Sequence, residues 1–103
     1  DCESSIRLNR RLAAGFTGRA IVRLLQGKPQ DAWDDASASL EREPNNTMAL
    51  AVRCRSAAKL SRFSEATADV DKLLSLLPAD SPDRQTFIKL RETFRPPSAT
   101  EDK

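Results

Sequence analysis

The sequence predicts an all-α fold of antiparallel helical hairpins, with about two and a half repeats formed by five helices. Composition is the first of three observations behind this prediction. Aromatic residues make up 5% of the 103 residues, and Ala, Leu and Arg are far commoner than β-branched residues, which is typical of helical domains. Apolar residues also recur every four positions, the spacing of one helix face. Finally, the chain repeats itself with a period of 34 residues.

The internal repeat aligns residues 13–46 with residues 47–80. Five aligned pairs are identical: Arg19 and Arg53, Ala32 and Ala66, Asp35 and Asp69, Leu40 and Leu74, and Pro44 and Pro78. Chance would give about two or three identities at typical residue frequencies. Four further pairs are conservative: Lys28 and Arg62, Asp31 and Glu65, Phe16 and Leu50, and Ala36 and Val70. Such a period is typical of arrays in which each hairpin buries its apolar side against the next.

The first repeat predicts two helices separated by a break at Gly27-Lys28-Pro29. The first helix carries an apolar stripe with four-residue spacing: Leu12, Phe16, Ala20 and Leu24. Gly15 and Gly18 within this helix indicate a close helix contact, a kink or fraying. Asp31 is expected to cap the second helix, which carries Ala32, Ala36 and Leu40. Pro44 closes the repeat, because proline disfavours helix at the residue before it.

The second repeat follows the same plan, and a single helix follows it. Its first helix carries Leu50, Cys54 and Ala57, its turn spans residues 61–64, and its second helix carries Ala66, Val70, Leu73, Leu74 and Leu77 before Pro78. A fifth helix is predicted over residues 82–94, with Pro82 in its first turn. Its apolar residues are Phe87, Ile88, Leu90 and Phe94. We expect this helix to cap the open side of the second hairpin.

The two ends of the chain complete a single predicted domain over residues 1–95. Residues 1–12 are expected either to lengthen the first helix, capped at Ser4 or Ser5, or to be the remnant of a preceding helix. Residues 96–103 follow a Pro-Pro pair and are predicted to form a disordered tail.

The residue content excludes several classes of function. The chain has no His, which removes the usual general base and the usual zinc ligand. Cys2 and Cys54 lack metal-ligand spacing, and no apolar run approaches the roughly 20 residues of a membrane-spanning helix. We therefore expect no enzyme activity, cofactor, metal ion or membrane partner. Two cysteines without a disulfide framework favour a reducing compartment, the cytoplasm. Cys54 is expected to be a buried small hydrophobe, and Trp33 to cover its own hairpin or an adjacent element.

The repeat resembles the tetratricopeptide repeat over roughly residues 13–94. That family combines an Ala, a later hydrophobic residue and a closing Pro, and the combination stands here twice, as Ala32/Ala36/Pro44 and as Ala66/Val70/Pro78. Residues 25–32 and 60–66 are similar to the turn between the family's two helices. The signature of the family's first helix is poor here. Its Trp, Leu and Gly positions hold Phe16 or Leu50, Arg19 or Arg53, and Ala20 or Cys54.

Within that family the chain is most similar to the co-chaperone domains, which grip the acidic tails of heat-shock chaperones with a two-carboxylate clamp. The clamp residues themselves are missing. Gly18, Met48 and Val52 stand where the clamp Asn, Lys and Arg would be, and none of these side chains donates a hydrogen bond to a carboxylate. We therefore expect the usual chaperone tail not to be bound in the usual way.

Charge is segregated between the first and second helices of each repeat. Six basic residues and no acid lie between Ser4 and Gln30, and four basic residues and no acid lie between Pro44 and Ser64. The resemblance implies that first helices line a concave groove, so we expect this groove to be basic. Helical spacing assigns these residues to it: Thr17, Ile21, Met48, Ala51, Arg55, Lys59, Gln85 and Lys89. The predicted function is a non-enzymatic adaptor or scaffold domain that binds an acidic or amphipathic peptide of another protein.

Three alternatives are open at this stage. Basic first helices and acidic second helices can complement each other within a hairpin, where exposed pairs contribute little. The open end of the first hairpin can self-associate, which would make the chain an oligomerisation module and a homodimer. RNA binding is a minor alternative, because the net charge is only +2 and exposed aromatic residues for base stacking are lacking.

Overall fold

The computed structural model describes residues 2–94, and their side chains from Arg7 onward. Five helices follow one another along this part of the chain: α1 (Cys2–Leu25), α2 (Pro29–Arg42), α3 (Thr47–Lys59), α4 (Phe63–Leu76) and α5 (Asp83–Thr93). The predicted all-α class and the number of helices are confirmed. The predicted tail over residues 96–103 lies outside the described residues.

The first helix is longer than a single repeat requires. Because α1 is continuous from Cys2 to Leu25, residues 2–12 lengthen it and are not a separate preceding helix. The helix also begins before Ser4 and Ser5, so the expectation that one of them caps it is wrong.

The helices form two hairpins and a final single helix. Within the hairpins α1 packs on α2 and α3 packs on α4, while α2 contacts α3 and α4 contacts α5. α1 also reaches α3, so both helices of the first hairpin support the second. This is the hairpin array that the internal repeat predicts.

The turns of the two hairpins have the same backbone conformation. Gly27 has φ 78° and Ser61, 34 positions later, has φ 64°, so both lie in the left-handed region that favours glycine. The residue after each turn donates its backbone N–H to a carbonyl five residues earlier, Lys28 to Arg23 and Arg62 to Ala57, both at 2.8 Å. This bond satisfies a carbonyl that the helix end leaves unpaired.

The starts of α2 and α3 differ in how they are capped. Lys28 occupies the cap position of α2 without a side-chain hydrogen bond, and Pro29 begins the helix. The expectation that Asp31 caps α2 is wrong, because Asp31 lies within the first turn, where a carboxylate favours the positive end of the helix dipole. Asn46 caps α3 and accepts a 3.0 Å hydrogen bond from the Ala49 N–H.

The core consists mainly of small residues at the hairpin contacts. Ala20, Ala32 and Ala36 are fully buried, and Val52 of α3 packs against them. A second cluster joins α3, α4 and the end of α5, where Phe94 is 2% exposed. Small side chains let neighbouring helices approach closely. α3 lies in the middle of the array, where it contacts α1, α2 and α4.

The buried side of α1 differs from the predicted apolar stripe. Ala13, Thr17 and Ala20 are buried, whereas Leu12 is 39% exposed and Phe16 is half-buried. Ala20 belongs to both sets, so the buried side is turned by about 45° from the predicted stripe, at 100° per residue. The cause is a polar contact with α2 at Thr17, which hydrophobicity alone does not predict.

Candidate functional site

An arginine–aspartate pair occurs in the same place in both hairpins. Arg19 donates to both carboxylate oxygens of Asp35 at 2.9 Å, and Arg53 donates to both oxygens of Asp69 at 2.9 and 2.8 Å. Each hydrogen-bonded pair raises the pKa of its guanidinium, because a charged donor is stabilised by a charged acceptor. Two of the five identical positions in the repeat, the Arg and the Asp, therefore form the same ion pair in each hairpin.

Further ion pairs join first helices to second helices. Arg23 approaches Asp35 at 3.1 Å and Asp31 at 3.3 Å, and Arg10 approaches Glu43 at 3.8 Å. The alternative that the charges complement each other within a hairpin therefore applies to α1, several of whose cations are neutralised. α1 does not supply the basic wall that charge segregation predicts.

Trp33 links the two hairpins. Its ring lies under two guanidinium groups, those of Arg53 and Arg62, at 5.5 and 5.1 Å from the ring centroid. It also packs against the cluster that contains Cys54 and Ala57 of α3, so the prediction that Trp33 covers an adjacent element is confirmed. Its indole N–H is buried without a hydrogen-bond partner among the described residues.

Four predicted site residues lie on one exposed face of α3. Met48, Ala51, Arg55 and Lys59 follow a spacing of three and four residues, which places them in line. Met48 is 56% exposed, Ala51 is half-buried, and both cations are exposed. Within residues 7–94, neither Arg55 nor Lys59 takes part in an ion pair. We call this row the α3 face.

An apolar cleft adjoins the α3 face. Its volume is about 110 Å³, and it is lined by Thr47, Met48, Ala51, Leu73, Leu77, Asp83 and Phe87. It exists because α5 packs on α4, and no described Cα atom of α5 comes within 8 Å of one in α3. Pockets for drug-sized molecules measure roughly 300–1,000 Å³, so this cleft fits a single side chain.

Several lining residues were not predicted as part of the site. Leu73, Leu77 and Phe87 were assigned to the core on the basis of their apolar character, and they do pack there. Leu77 and Phe87 are half-buried, whereas Leu73 is 1% exposed and forms the floor of the cleft. Asp83, which is exposed at the start of α5, adds a carboxylate to the lining of the same cleft, whereas Arg55 and Lys59 do not line it.

The remaining predicted site residues lie elsewhere. Gln85 and Lys89 are exposed on α5 and do not line the cleft, and Lys89 has no ion-pair partner among residues 7–94. Ile21 is half-buried and packs against the α1–α2 core. Thr17 is 6% exposed, so the expectation that it faces a partner is wrong.

The burial of Thr17 has a specific cause. Ser39 of α2 donates its hydroxyl to the Ala13 carbonyl at 2.9 Å, and the Thr17 hydroxyl lies 2.8 Å from the same Ser39 oxygen. Because Ser39 has one hydroxyl proton, Thr17 donates to it. The three groups satisfy one another inside the first hairpin.

Cys54 is buried and unreactive in this environment. Its side chain is fully buried, and burial raises the pKa of the thiol to about 12, because desolvation disfavours the thiolate. The prediction that Cys54 is a small buried hydrophobe is confirmed.

None of the helices described between residues 2 and 94 has the length and apolar character that crossing a bilayer requires. Comparison with known proteins found no match: no protein-family model, no curated protein and no solved structure is similar to the chain.

Proposed function

We propose that this chain is a non-enzymatic protein-interaction domain of the tetratricopeptide-repeat type, an adaptor that binds an acidic peptide along the α3 face. The observation that carries the proposal is the junction of an apolar cleft with two uncompensated cations on one rigid helix. Arg19, Arg23 and Arg53 are neutralised by aspartates. Lys28, Lys72 and Lys89 are also exposed and form no ion pair among residues 7–94. Arg55 and Lys59 differ from these lysines because they lie in line with the apolar cleft on one helix, where a bound peptide can reach both.

The spacing of the α3 face specifies the peptide. A helix rises about 1.5 Å per residue, so Arg55 and Lys59 lie about 6 and 12 Å along the helix from Ala51. An extended peptide advances about 3.3 Å per residue. A ligand with an apolar anchor in the cleft would therefore place carboxylates two and four residues beyond that anchor. The carboxylate of Asp83 in the cleft lining would repel an acid placed at the anchor position itself, so the anchor is apolar.

Rigid helices make this binding mode favourable. Met48 and Ala51 belong to a helix that both neighbours support, so the site needs little ordering when a ligand binds. The two cations add charge-assisted hydrogen bonds and accelerate encounter with an acidic segment. The buried free thiol of Cys54 suits a compartment that keeps cysteines reduced, such as the cytoplasm.

The test is a fluorescence-anisotropy titration of the full chain with a labelled Leu-x-Glu-x-Glu peptide. We expect salt-sensitive binding that weakens between about 50 and 300 mM salt as charges are screened. The double variant Arg55→Glu/Lys59→Glu should weaken it about tenfold, which corresponds to about 1.4 kcal/mol.

Two matched controls accompany this titration. Lys28→Glu/Lys72→Glu makes the same change in charge at exposed residues away from the α3 face and should leave the affinity within about twofold of the wild type, since long-range screening is strong. A Leu-x-Gln-x-Gln peptide tests the need for carboxylates. The proposal fails if both peptides bind equally, or if the two double variants weaken binding alike.

A further inference from the structure

A second surface of the molecule is apolar and unpartnered in the described chain. It lies on the side of α1 opposite to α2, and we call it the outward face of α1: Leu8, Leu12, Gly15, Gly18 and Val22. Leu8, Leu12 and Val22 are 56%, 39% and 51% exposed. A Cβ atom added at either glycine would meet no atom within 4 Å apart from the backbone of its own helix and its chain neighbours. Nothing within residues 7–94 therefore explains why the helix carries these residues here.

The second hairpin shows what covers such a face. In the second repeat, Gly15, Gly18 and Val22 correspond to Ala49, Val52 and Ser56, which stand 34 positions later. They are 0%, 4% and 0% exposed, because α3 packs against α2 and α1 through this side. Val52 lies in the cluster of small residues that joins the hairpins. In this protein, that side of a first helix is the one on which another helix is seated.

The glycines fit the same role. Glycine within a helix costs roughly 1 kcal/mol relative to alanine, and no close contact inside the described chain compensates that cost here. A helix backbone seated directly over Gly15 and Gly18 would approach more closely than over any other residue type.

Charge selects the chemistry of the helix that would be seated there. Arg7 and Arg11 are exposed beside the face, and the sequence has no acid between Ser4 and Gln30. Two copies of this face would bring cations against cations, which is unfavourable. In the described hairpins Asp31 and Asp35 of α2 neutralise Arg23 and Arg19 of α1 rather than α3. The cations that favour an acidic partner helix are therefore Arg7 and Arg11, which have no ion-pair partner among residues 7–94.

An aromatic side chain completes the match. On α3, Trp33 of the covering helix stacks on Arg53. The equivalent residue of α1 is Arg19, which with Arg11, Leu12, Gly15 and Phe16 lines a notch of about 180 Å³. This notch offers apolar walls and guanidinium planes of the kind on which an aromatic ring stacks.

From these observations we infer that the outward face of α1 docks an amphipathic, acidic helix of a partner protein, which presents an aromatic residue to Arg19 as Trp33 does to Arg53. The outward face is separate from the α3 face, and the inference does not rest on peptide binding there.

The inference is tested by titrating the full chain with a labelled peptide that has the sequence of residues 28–46 of this protein. This peptide is chosen because it is acidic, forms an amphipathic helix in the protein and contains one Trp. NMR chemical-shift changes should centre on Gly15, Gly18 and Val22. The double variant Gly15→Leu/Val22→Lys should raise the Kd at least tenfold. Both residues are exposed, and replacing a helical glycine by leucine favours the helix. The Tm of the variant should therefore not fall below that of the wild type, which separates lost docking from unfolding.

A control peptide carries Ala in place of its Trp and amides in place of its carboxylates, and it should bind at least tenfold more weakly. Equal binding of both peptides, or no binding at millimolar peptide, would overturn the inference. Shift changes centred on Arg55 and Lys59 would also overturn it while supporting the α3 face as a binding site. The protein without peptide could also form a dimer that the Val22→Lys substitution dissociates. This result would show that a second copy of the chain binds the outward face, and it would overturn the inference of an acidic partner.

Discussion

Asp69→Asn breaks the better buried of the two repeated ion pairs. The Asp69 side chain is 8% exposed and that of Arg53 is 26% exposed. Removing one partner of a fully buried pair costs about 3–5 kcal/mol, whereas exposed pairs contribute about 0–1 kcal/mol. Because Arg53 keeps part of its hydration, we expect the free energy of unfolding to fall by about 2 kcal/mol. In a domain of about 100 residues this lowers Tm by about 8–16 °C.

Asp35→Asn in the first hairpin is the matched control. The Asp35 side chain is 10% exposed and pairs with two arginines. Arg19 is 55% exposed and can be hydrated when it is released, and Arg23 is 32% exposed and keeps Asp31 at 3.3 Å. We therefore expect a smaller loss of stability than for Asp69→Asn. Urea unfolding followed by far-ultraviolet circular dichroism measures both values. Equal losses in the two variants, or an unchanged midpoint for Asp69→Asn, would refute the reasoning.

A double variant separates the pair from its surroundings. Replacing both Arg53 and Asp69 by apolar residues of similar size, as in Arg53→Met/Asp69→Leu, removes the uncompensated charge as well as the bond. Such replacements are often neutral or stabilising, so we expect at least half of the stability lost in Asp69→Asn to return. A double variant less stable than Asp69→Asn would show that the pair itself provides the stability.

Three further predictions concern the core and the turns. In a Cys2→Ser background, Cys54 should react with a thiol reagent about 5 × 10³-fold more slowly than in urea, because labelling requires an opening of roughly 5 kcal/mol. The Cys54 thiol has a pKa of 9.0 in the unfolded chain and of about 12 in the folded protein. Between these two pH values the thiol loses its proton only in the unfolded state, so the free energy of unfolding should fall as pH rises. The fall should be smaller in Cys54→Ala, which has no thiol. Ser61→Gly should stabilise the protein by about 0.5 kcal/mol, while Gly27→Ala should destabilise it by about 1–2 kcal/mol, because both positions are left-handed; thermal melts measure both. Ser39→Ala should cost about 1–3 kcal/mol by leaving a buried hydroxyl and carbonyl unpaired, and an unchanged urea midpoint would contradict the hydrogen-bond network.

The helices were predictable because apolar spacing and the Gly and Pro positions both indicate them. The fifth helix illustrates this, since its predicted range of 82–94 differs by one residue at each end from Asp83–Thr93. The buried side of α1 was not predictable in the same way. Leu12 is more hydrophobic than Thr17, yet Thr17 is buried because Ser39, 22 residues away, accepts its hydroxyl proton.

The site was predictable along α3 but not across the helices. Helical spacing is enough to align Met48, Ala51, Arg55 and Lys59 on one face. The cleft beside them depends on the angle between α5 and α3, which no local pattern encodes. The pairing of Arg19 with Asp35 did have a sequence signal, because an Arg and an Asp recur with the same separation of 16 residues in both repeats. That signal indicates the hairpin contact as well as the repeat.

The unequal lengths of α1 and α2 have a consequence for helix–coil equilibrium. With 24 and 14 residues, the helices measure about 36 and 21 Å at 1.5 Å per residue, and Ala13 is the first buried residue among the described side chains. The preceding turns project beyond the hairpin and take their order from propensity and from propagation out of the anchored half. Short unsupported helices are marginal in water, so we expect residues 2–12 to gain helical content when a helix packs along them. Their circular-dichroism signal would then rise with the fraction of protein that is bound.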